Sequence, residues 1–127
     1  MMNFIIENLY IGDEQDSKDF WLTQEQLYTT FDLRGWNVDE KGMNHKHAWF
    51  LENLSELIED ARTQGPVLVH CHAGMDRAPF AVAVYFVLEH GFTPEDAYKF
   101  VKKNRPQTII HDDWMAYFIQ KDGGKEE

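Results

Sequence analysis

The chain contains a single cysteine, Cys71, and an arginine, Arg77, follows it six positions later. A thiolate is a strong nucleophile, and a guanidinium group is a planar fork that binds two oxygens of a phosphate. Residues of these two types at this spacing could attack a phosphoryl group and hold it during the reaction. A lone cysteine also excludes a disulfide within the chain, which fits a reducing compartment.

The segments on both sides of this pair predict a strand, a loop and a helix. Residues 67–69 are aliphatic and mostly β-branched, which favours a buried strand. Residues 79–88 are nearly all apolar and predict a buried helix, with Pro79 in its first turn. The backbone N–H groups of the intervening loop, together with the helix N-terminus, would bind an anion and stabilise a thiolate. The loop consists of His72, Ala73, Gly74, Met75 and Asp76.

The rest of the chain predicts further alternation of strands and helices. We expect strands at 3–7, 9–12 and 29–33, and one or two short helices between residues 13 and 27. Longer helices are predicted at about 44–61, from Pro94 to Asn104, and from Asp112 or Asp113 through Ile119. This order indicates an α/β fold with a central, largely parallel sheet flanked by helices. In such a sheet the site lies at the carboxyl end of a central strand.

Length and charge limit the class of protein. A chain of 127 residues fits a single domain over 1–127, and we expect residues 122–127 to form a frayed tail. The net charge of −10 argues against a nucleic-acid or membrane partner. The absence of a long apolar run and of a basic N-terminal segment leads us to expect a cytoplasmic protein.

Two other groups of residues could bear on function. The densest basic group predicts a solvated helix face, and it comprises Lys99, Lys102, Lys103 and Arg105. The histidines are scattered along the chain, so we expect neither a metal site nor a cofactor.

The segment from His70 to Arg77 resembles the signature His-Cys-x5-Arg of cysteine-dependent phosphatases. The surrounding sequence, from Leu9 to about Trp114, is most similar to the dual-specificity branch of the protein tyrosine phosphatase superfamily. The resemblance implies the compact fold of that branch. It also implies a metal-independent phosphatase that acts on phosphotyrosine in proteins, and in some members on phosphoserine or phosphothreonine, through a phosphocysteine intermediate. We expect a monomer whose partner is a phosphorylated protein or peptide.

The resemblance also assigns roles to individual residues. Cys71 is the expected nucleophile, and Arg77 binds the phosphate and stabilises the transition state. The loop residues 72–77 bind the substrate, and His70 supports the thiolate from behind. For the basic group of Lys99, Lys102, Lys103 and Arg105, the resemblance implies an alternative to the solvated face, a rim near the active site that attracts phosphorylated substrate. The family places its general acid, an aspartate, on a loop well before the cysteine, which predicts Asp39 here. The other acids considered there are Asp32, which lies in a predicted strand, and Glu40.

Two residues depart from the common pattern of the family. Ala78 stands where a serine or threonine usually follows the arginine, and this predicts slower hydrolysis of the phosphoenzyme. Asp76 precedes the arginine, as in myotubularin-type lipid phosphatases and some bacterial tyrosine phosphatases, and is therefore a rival to Asp39 as the acid. An acid inside an anion-binding loop is unfavourable unless it points away or has a task of its own.

These departures leave three alternatives open. The run Arg77-Ala78-Pro79 is similar to plant glucan phosphatases, which suggests a phosphoglucan substrate. The Asp-Arg pair suggests a phosphoinositide, although His72 and Met75 replace the lysines that lipid-directed relatives often carry. The third alternative is a slow-turnover module that binds phosphate.

Overall fold

The structure is a computed structural model that describes residues 1–23, 28–39 and 41–118. Three expectations fall outside these residues: Glu40 as an acid, the end of the last helix at Ile119, and the frayed tail at 122–127.

Within the described residues, four strands form one sheet in the order β1-β2-β4-β3. The strands are β1 (Asn3–Ile6), β2 (Leu9–Gly12), β3 (Thr29–Asp32) and β4 (Val67–His70). Strand β4 pairs in parallel with both β2 and β3, while β1 pairs antiparallel with β2. The predicted, largely parallel sheet is confirmed, with an antiparallel strand at one edge. The registers place Gly12 and Asp32 on either side of His70, so three strands end together.

The described residues form four longer helices, two of which begin at a side-chain cap. They are α1 (Glu14–Thr23), α2 (His45–Arg62), α3 (Arg77–His90) and α4 (Pro94–Asn104), and residues 112–118 are also helical. The side chain of Asn44 accepts from two N–H groups of the first turn of α2, and Thr93 caps α4 ahead of its proline. No helix among these described residues is long and apolar enough to span a membrane.

Helix α3 forms the centre of the core. Its residues 78–87 are all buried, as expected for a helix that is apolar on every side. It packs between α2 and α4 and contacts β2 and β4. Because every residue of β4 is buried as well, the loop between β4 and α3 is anchored rigidly at both ends.

Helix α2 shows one difference from its apolar pattern. Five of its apolar residues face the core: Ala48, Leu51, Leu54, Ile58 and Ala61. Phe50 and Leu57 belong to the same sequence pattern but are 36% and 54% exposed. Each directly precedes a buried residue, Leu51 or Ile58, and since the two are seven positions apart they lie along one edge of the apolar stripe.

Candidate active site

The backbone carbonyl groups of the 71–77 loop point into the surrounding protein. Four consecutive carbonyl oxygens, those of residues 72–75, each accept a hydrogen bond. The N–H of Glu14 donates to the first at 3.1 Å, the guanidinium of Arg105 to the second and third at 3.5 and 2.5 Å, and the N–H of Ile109 to the fourth at 2.7 Å. The course of the loop is thus fixed by three separate parts of the chain.

The N–H groups of the same loop are available to a ligand. None of the N–H groups of residues 72–77 donates a hydrogen bond to another described residue. Residue Arg77 also begins α3, so the first N–H groups of that helix have no partner within the helix. Unpaired N–H groups in a loop at a helix N-terminus form a binding site for a tetrahedral anion. The predicted arrangement of strand, loop and helix is therefore present, with the α3 N-terminus at the end of the loop.

Gly74 allows the loop to lie directly against strand β2. Its φ of +67° is in the left-handed region that favours glycine. A Cβ atom at this position would overlap the carbonyl oxygen of Gly12 and lie 2.5 Å from a guanidinium nitrogen of Arg105. No larger residue can occupy the position unless the loop moves.

Arg105 is a buried support of the loop, and this corrects the sequence-based expectation. Its residue exposure is 1%, so it belongs neither to a solvated face nor to a basic rim. Besides the loop carbonyls, its guanidinium donates to Asn3 Oδ1 at 2.8 Å and to the carbonyl oxygens of Met1 and Ile11 at 2.9 and 3.1 Å. Burial lowers the pKa of Arg105, while nearby carboxylates and a Cys71 thiolate raise it. The guanidinium is thus within electrostatic reach of the thiol.

Two lysines of the predicted basic group, Lys99 and Lys102, also have partners. Lys102 donates to the carbonyl oxygens of Pro106 and Thr108, at 3.3 and 2.8 Å, and so fixes the turn after α4. Lys99 pairs with Glu95 on the exposed side of α4, at 3.0 Å. The solvated-face interpretation therefore holds for Lys99, and these contacts give no support to a rim that attracts substrate.

Cys71 lies at the base of the loop, directly after β4, and is 2% exposed. His70 precedes it and is 3% exposed. Burial lowers the pKa of His70, with the charge of Asp32 acting in the opposite direction, so the imidazole is neutral at neutral pH. This position beneath the loop is consistent with the supporting role that the resemblance implies for His70.

Arg77 connects the loop to the segment that follows β3. Its Nη1 donates to the carbonyl oxygens of Arg34 and Trp36, at 2.8 and 3.2 Å, and to Asn37 Oδ1 at 2.9 Å. Its Nε and Nη2 donate to none of the described residues, so they remain available for two oxygens of a phosphate. The three acceptors were not identified from the sequence, which offers no local signal for contacts some forty residues apart.

The predicted acid, Asp39, lies on the same β3–α2 segment as the partners of Arg77. It is exposed, its Oδ1 accepts from the N–H of Lys41 at 2.9 Å, and its carbonyl accepts from the N–H of Gly42 at 3.0 Å. The contacts of Arg77 bring the start of this segment beside the 71–77 loop. Asp39 therefore remains a prediction, supported by its place on the adjoining segment.

Asp32 is not suited to donate a proton. Arg34 binds both of its carboxylate oxygens, with a shortest distance of 2.7 Å. This ion pair lowers the pKa of Asp32 to about 2, so the carboxyl group is ionised at neutral pH. Arg34 also contacts Glu14 Oε2 at 3.2 Å, and the same oxygen lies 3.0 Å from His72 Nδ1. Arg34 is thus paired with the carboxylates of both Glu14 and Asp32 at the edge of the site.

Asp76, the rival acid, points to a residue that sequence reasoning did not single out. Its Oδ1 lies 3.1 Å from Nε2 of His111, in the segment between α4 and the last helix. Among the described residues its side chain makes no capping hydrogen bond at the start of α3. The carboxylate therefore points away from the N–H groups of the loop.

A family model for the dual specificity phosphatase catalytic domain matches residues 9–122. A protein of Invertebrate iridescent virus 6 that is named as a tyrosine phosphatase is 31% identical over 111 residues, covering 80% of this chain and 78% of its own length. Human dual specificity protein phosphatase 4 is 36% identical over 82 residues, or 61% of this chain. The chain spans only 20% of that human protein.

The fold has a close counterpart among solved structures. The crystal structure of human DUSP28 superposes with a TM-score of 0.78, covering 99% of this chain and 95% of that one. The two sequences are 14% identical, so this comparison concerns the fold alone.

Proposed function

The chain belongs to the dual-specificity phosphatase family of protein tyrosine phosphatases, and we propose that it hydrolyses phosphotyrosine in proteins through a phosphocysteine intermediate. The observation that carries the proposal is the 71–77 loop, in which the carbonyls of residues 72–75 are bonded to the surrounding protein and the N–H groups of residues 72–77 donate to none of the described residues. The loop has Cys71 at its base and the fork of Arg77 at its end. This arrangement binds a tetrahedral anion and presents a thiolate to it.

The reaction proceeds in two displacements. The Cys71 thiolate attacks phosphorus, an S–P bond forms, and the ester P–O bond breaks as the leaving oxygen receives a proton. Water then attacks the phosphocysteine, the S–P bond breaks, and inorganic phosphate leaves. The loop N–H groups and Arg77 hold the equatorial oxygens in both steps, so that the charge is stabilised without movement of the protein.

An aromatic phosphoester suits the surroundings of the loop. Ile109 is 43% exposed, and its N–H is bonded to the loop carbonyl of Met75. This apolar side chain offers contact area to a phenyl ring. Phosphotyrosine provides such a ring, whereas an inositol or a glucan presents hydroxyl groups that this side chain cannot bond.

We propose Asp39 as the proton donor and acceptor, and we expect Asp39→Asn to lower kcat/KM, which reports the first displacement, about 100-fold with phenyl phosphate, a substrate with a poor leaving group. With p-nitrophenyl phosphate the loss should be much smaller, because that leaving group needs little protonation. The basic limb of the pH–rate profile should disappear, since that limb reports loss of the acid's proton.

Asp76→Asn is the matched control for this experiment. It removes the carboxyl group of the rival acid and should keep the basic limb. If Asp76→Asn removes that limb and Asp39→Asn keeps it, the acid is Asp76.

Ala78 gives a separate prediction about the second displacement. Ala78 is buried in the first turn of α3, where the family commonly has a hydroxyl group. We expect Ala78→Ser to raise kcat about tenfold with little change in kcat/KM, because kcat/KM reports only the first displacement. Ala81→Ser, which inserts a hydroxyl one turn further along the same buried helix, should not raise kcat. An unchanged kcat in Ala78→Ser would show that hydrolysis of the intermediate does not limit turnover.

The substrate class is tested by a panel in buffer with a metal chelator. Phosphotyrosine and phosphothreonine peptides, a phosphoinositide and a phosphoglucan are compared by phosphate release from the purified chain. The proposal expects the highest kcat/KM for the phosphotyrosine peptide. A higher kcat/KM for the lipid or the glucan would show that the substrate belongs to that class. Tungstate binding without any turnover would show that the chain is a phosphate-binding module.

A further inference from the structure

We propose that His111 is a positioning residue that holds the Asp76 carboxylate out of the anion-binding loop. The inference deepens the proposed function, because it concerns the affinity of the same loop for a phosphoryl group. It explains how a loop with an acid beside its arginine can still bind a dianion.

Asp76 is in a position where its side chain would otherwise compete with the substrate. It is the N-cap residue of α3, and aspartate is among the residues that cap helices best. A capping carboxylate would accept from the N–H of Ala78, because Pro79 has none, and it would then lie beside the row of N–H groups that a phosphate would bind. A carboxylate in that place would also repel the phosphate by its charge.

The structure shows Asp76 turned to His111 instead. No capping hydrogen bond to its side chain is present among the described residues, and Oδ1 lies 3.1 Å from Nε2 of His111. The Asp76 side chain is 46% exposed and that of His111 is 27% exposed, so the contact is partly shielded from water. An imidazole that is neutral with its proton on Nε2, or that is protonated, donates to the carboxylate in this geometry.

The position of the His111 ring is fixed on more than one side. The ring stacks on Trp114 with centroids 3.8 Å apart and an angle of 12° between the planes. The backbone N–H of His111 donates to the hydroxyl of Tyr98 at 3.3 Å. Two residues earlier, the N–H of Ile109 bonds to the loop carbonyl of Met75. The imidazole is thus fixed relative to the loop and can hold Asp76 at a defined distance.

The test measures tungstate binding by calorimetry, because tungstate is a stable tetrahedral dianion and its binding requires no proton donor. We expect His111→Ala to weaken tungstate binding about tenfold, because the freed Asp76 carboxylate then occupies the loop or repels the tungstate ion from it. His111→Gln, which keeps a planar N–H donor, should lie closer to the wild type. His45→Ala, at an exposed histidine on α2, should bind tungstate like the wild type.

The decisive variant is the double substitution His111→Ala with Asp76→Ala. If His111 acts by holding Asp76, the double variant binds tungstate within about twofold of Asp76→Ala alone. Equal weakening in His111→Ala and in the double variant, or unchanged binding in His111→Ala, overturns the inference. If the variants show the expected pattern of tungstate binding but the wild type hydrolyses no aryl phosphate, the proposed function is contradicted and the role of His111 is supported.

Discussion

Replacement of Cys71 by serine is expected to lower the hydrolysis of p-nitrophenyl phosphate at least about 1,000-fold. Serine keeps the shape of the side chain, but its hydroxyl is not ionised at neutral pH and no base adjoins it in the proposed mechanism. The loop N–H groups and Arg77 remain in place, so the phosphate still binds. Steady-state kinetics at saturating substrate measure the loss, which should fall on kcat rather than on KM.

Tungstate binding and thermal unfolding of Cys71→Ser provide the control. Both should stay near the wild-type values, because the substitution changes the volume of the side chain little. If Cys71→Ser keeps most of the activity of the wild type, the nucleophile is another group and the phosphocysteine mechanism is wrong.

Replacement of Gly74 by alanine is expected to have the second-largest effect, although it removes no functional group. A new Cβ atom would overlap the carbonyl oxygen of Gly12 and approach the guanidinium of Arg105, and the φ of +67° is unfavourable for alanine. We expect the free energy of unfolding to fall by about 2–4 kcal/mol, from backbone strain and overpacking together. The loop can relieve the overlap only by moving away from β2.

That displacement should lower kcat/KM more than about 100-fold, because misplacement of the anion-binding groups by about 1 Å is enough for such a loss. Chemical denaturation and aryl-phosphate kinetics measure the two effects. Gly91→Ala is the matched control, since Gly91 has a φ of +71° and open space around its missing Cβ. It should cost about 1 kcal/mol of stability and leave kcat/KM within about twofold. A Gly74→Ala variant as active as Gly91→Ala would contradict the close packing of the loop on β2.

The parts of the fold that could be predicted are those specified by neighbouring residues. The aliphatic run of β4 and the apolar run of α3 both identify buried elements within a few residues. Asn44 and Thr93 are local signals for the starts of α2 and α4. The loop could be predicted from these two elements, because it is the short segment that connects the end of β4 to the start of α3.

The residues that complete the site could not be predicted in this way. Arg105 supports a loop about thirty positions earlier, and in the sequence it looked like one more member of a basic run. The only signal in the sequence was that Arg105 directly precedes Pro106. Because proline cannot continue the helix, Arg105 lies beyond the end of α4 and not on its exposed face. Contacts between distant segments depend on how the helices pack, which neither periodicity nor capping specifies.

The contacts of Asp76 and Arg77 show the same limit in the site itself. The sequence raised the question of where an acid inside the loop would point, and only the structure shows it beside His111. It likewise shows Arg77 bound to Trp36 and Asn37, which places the segment of Asp39 next to the loop. Both contacts join residues more than thirty positions apart.

The most direct test of the mechanism is to trap the intermediate. The wild-type chain is mixed with excess p-nitrophenyl phosphate, quenched in acid within one turnover, and digested for mass spectrometry. We predict that one added PO3 group will be found on the peptide containing Cys71 and that more of it will be found than in Ala78→Ser, in which the second displacement should be faster. A turning-over enzyme with no phosphate on Cys71, or with phosphate on another residue, would contradict the account.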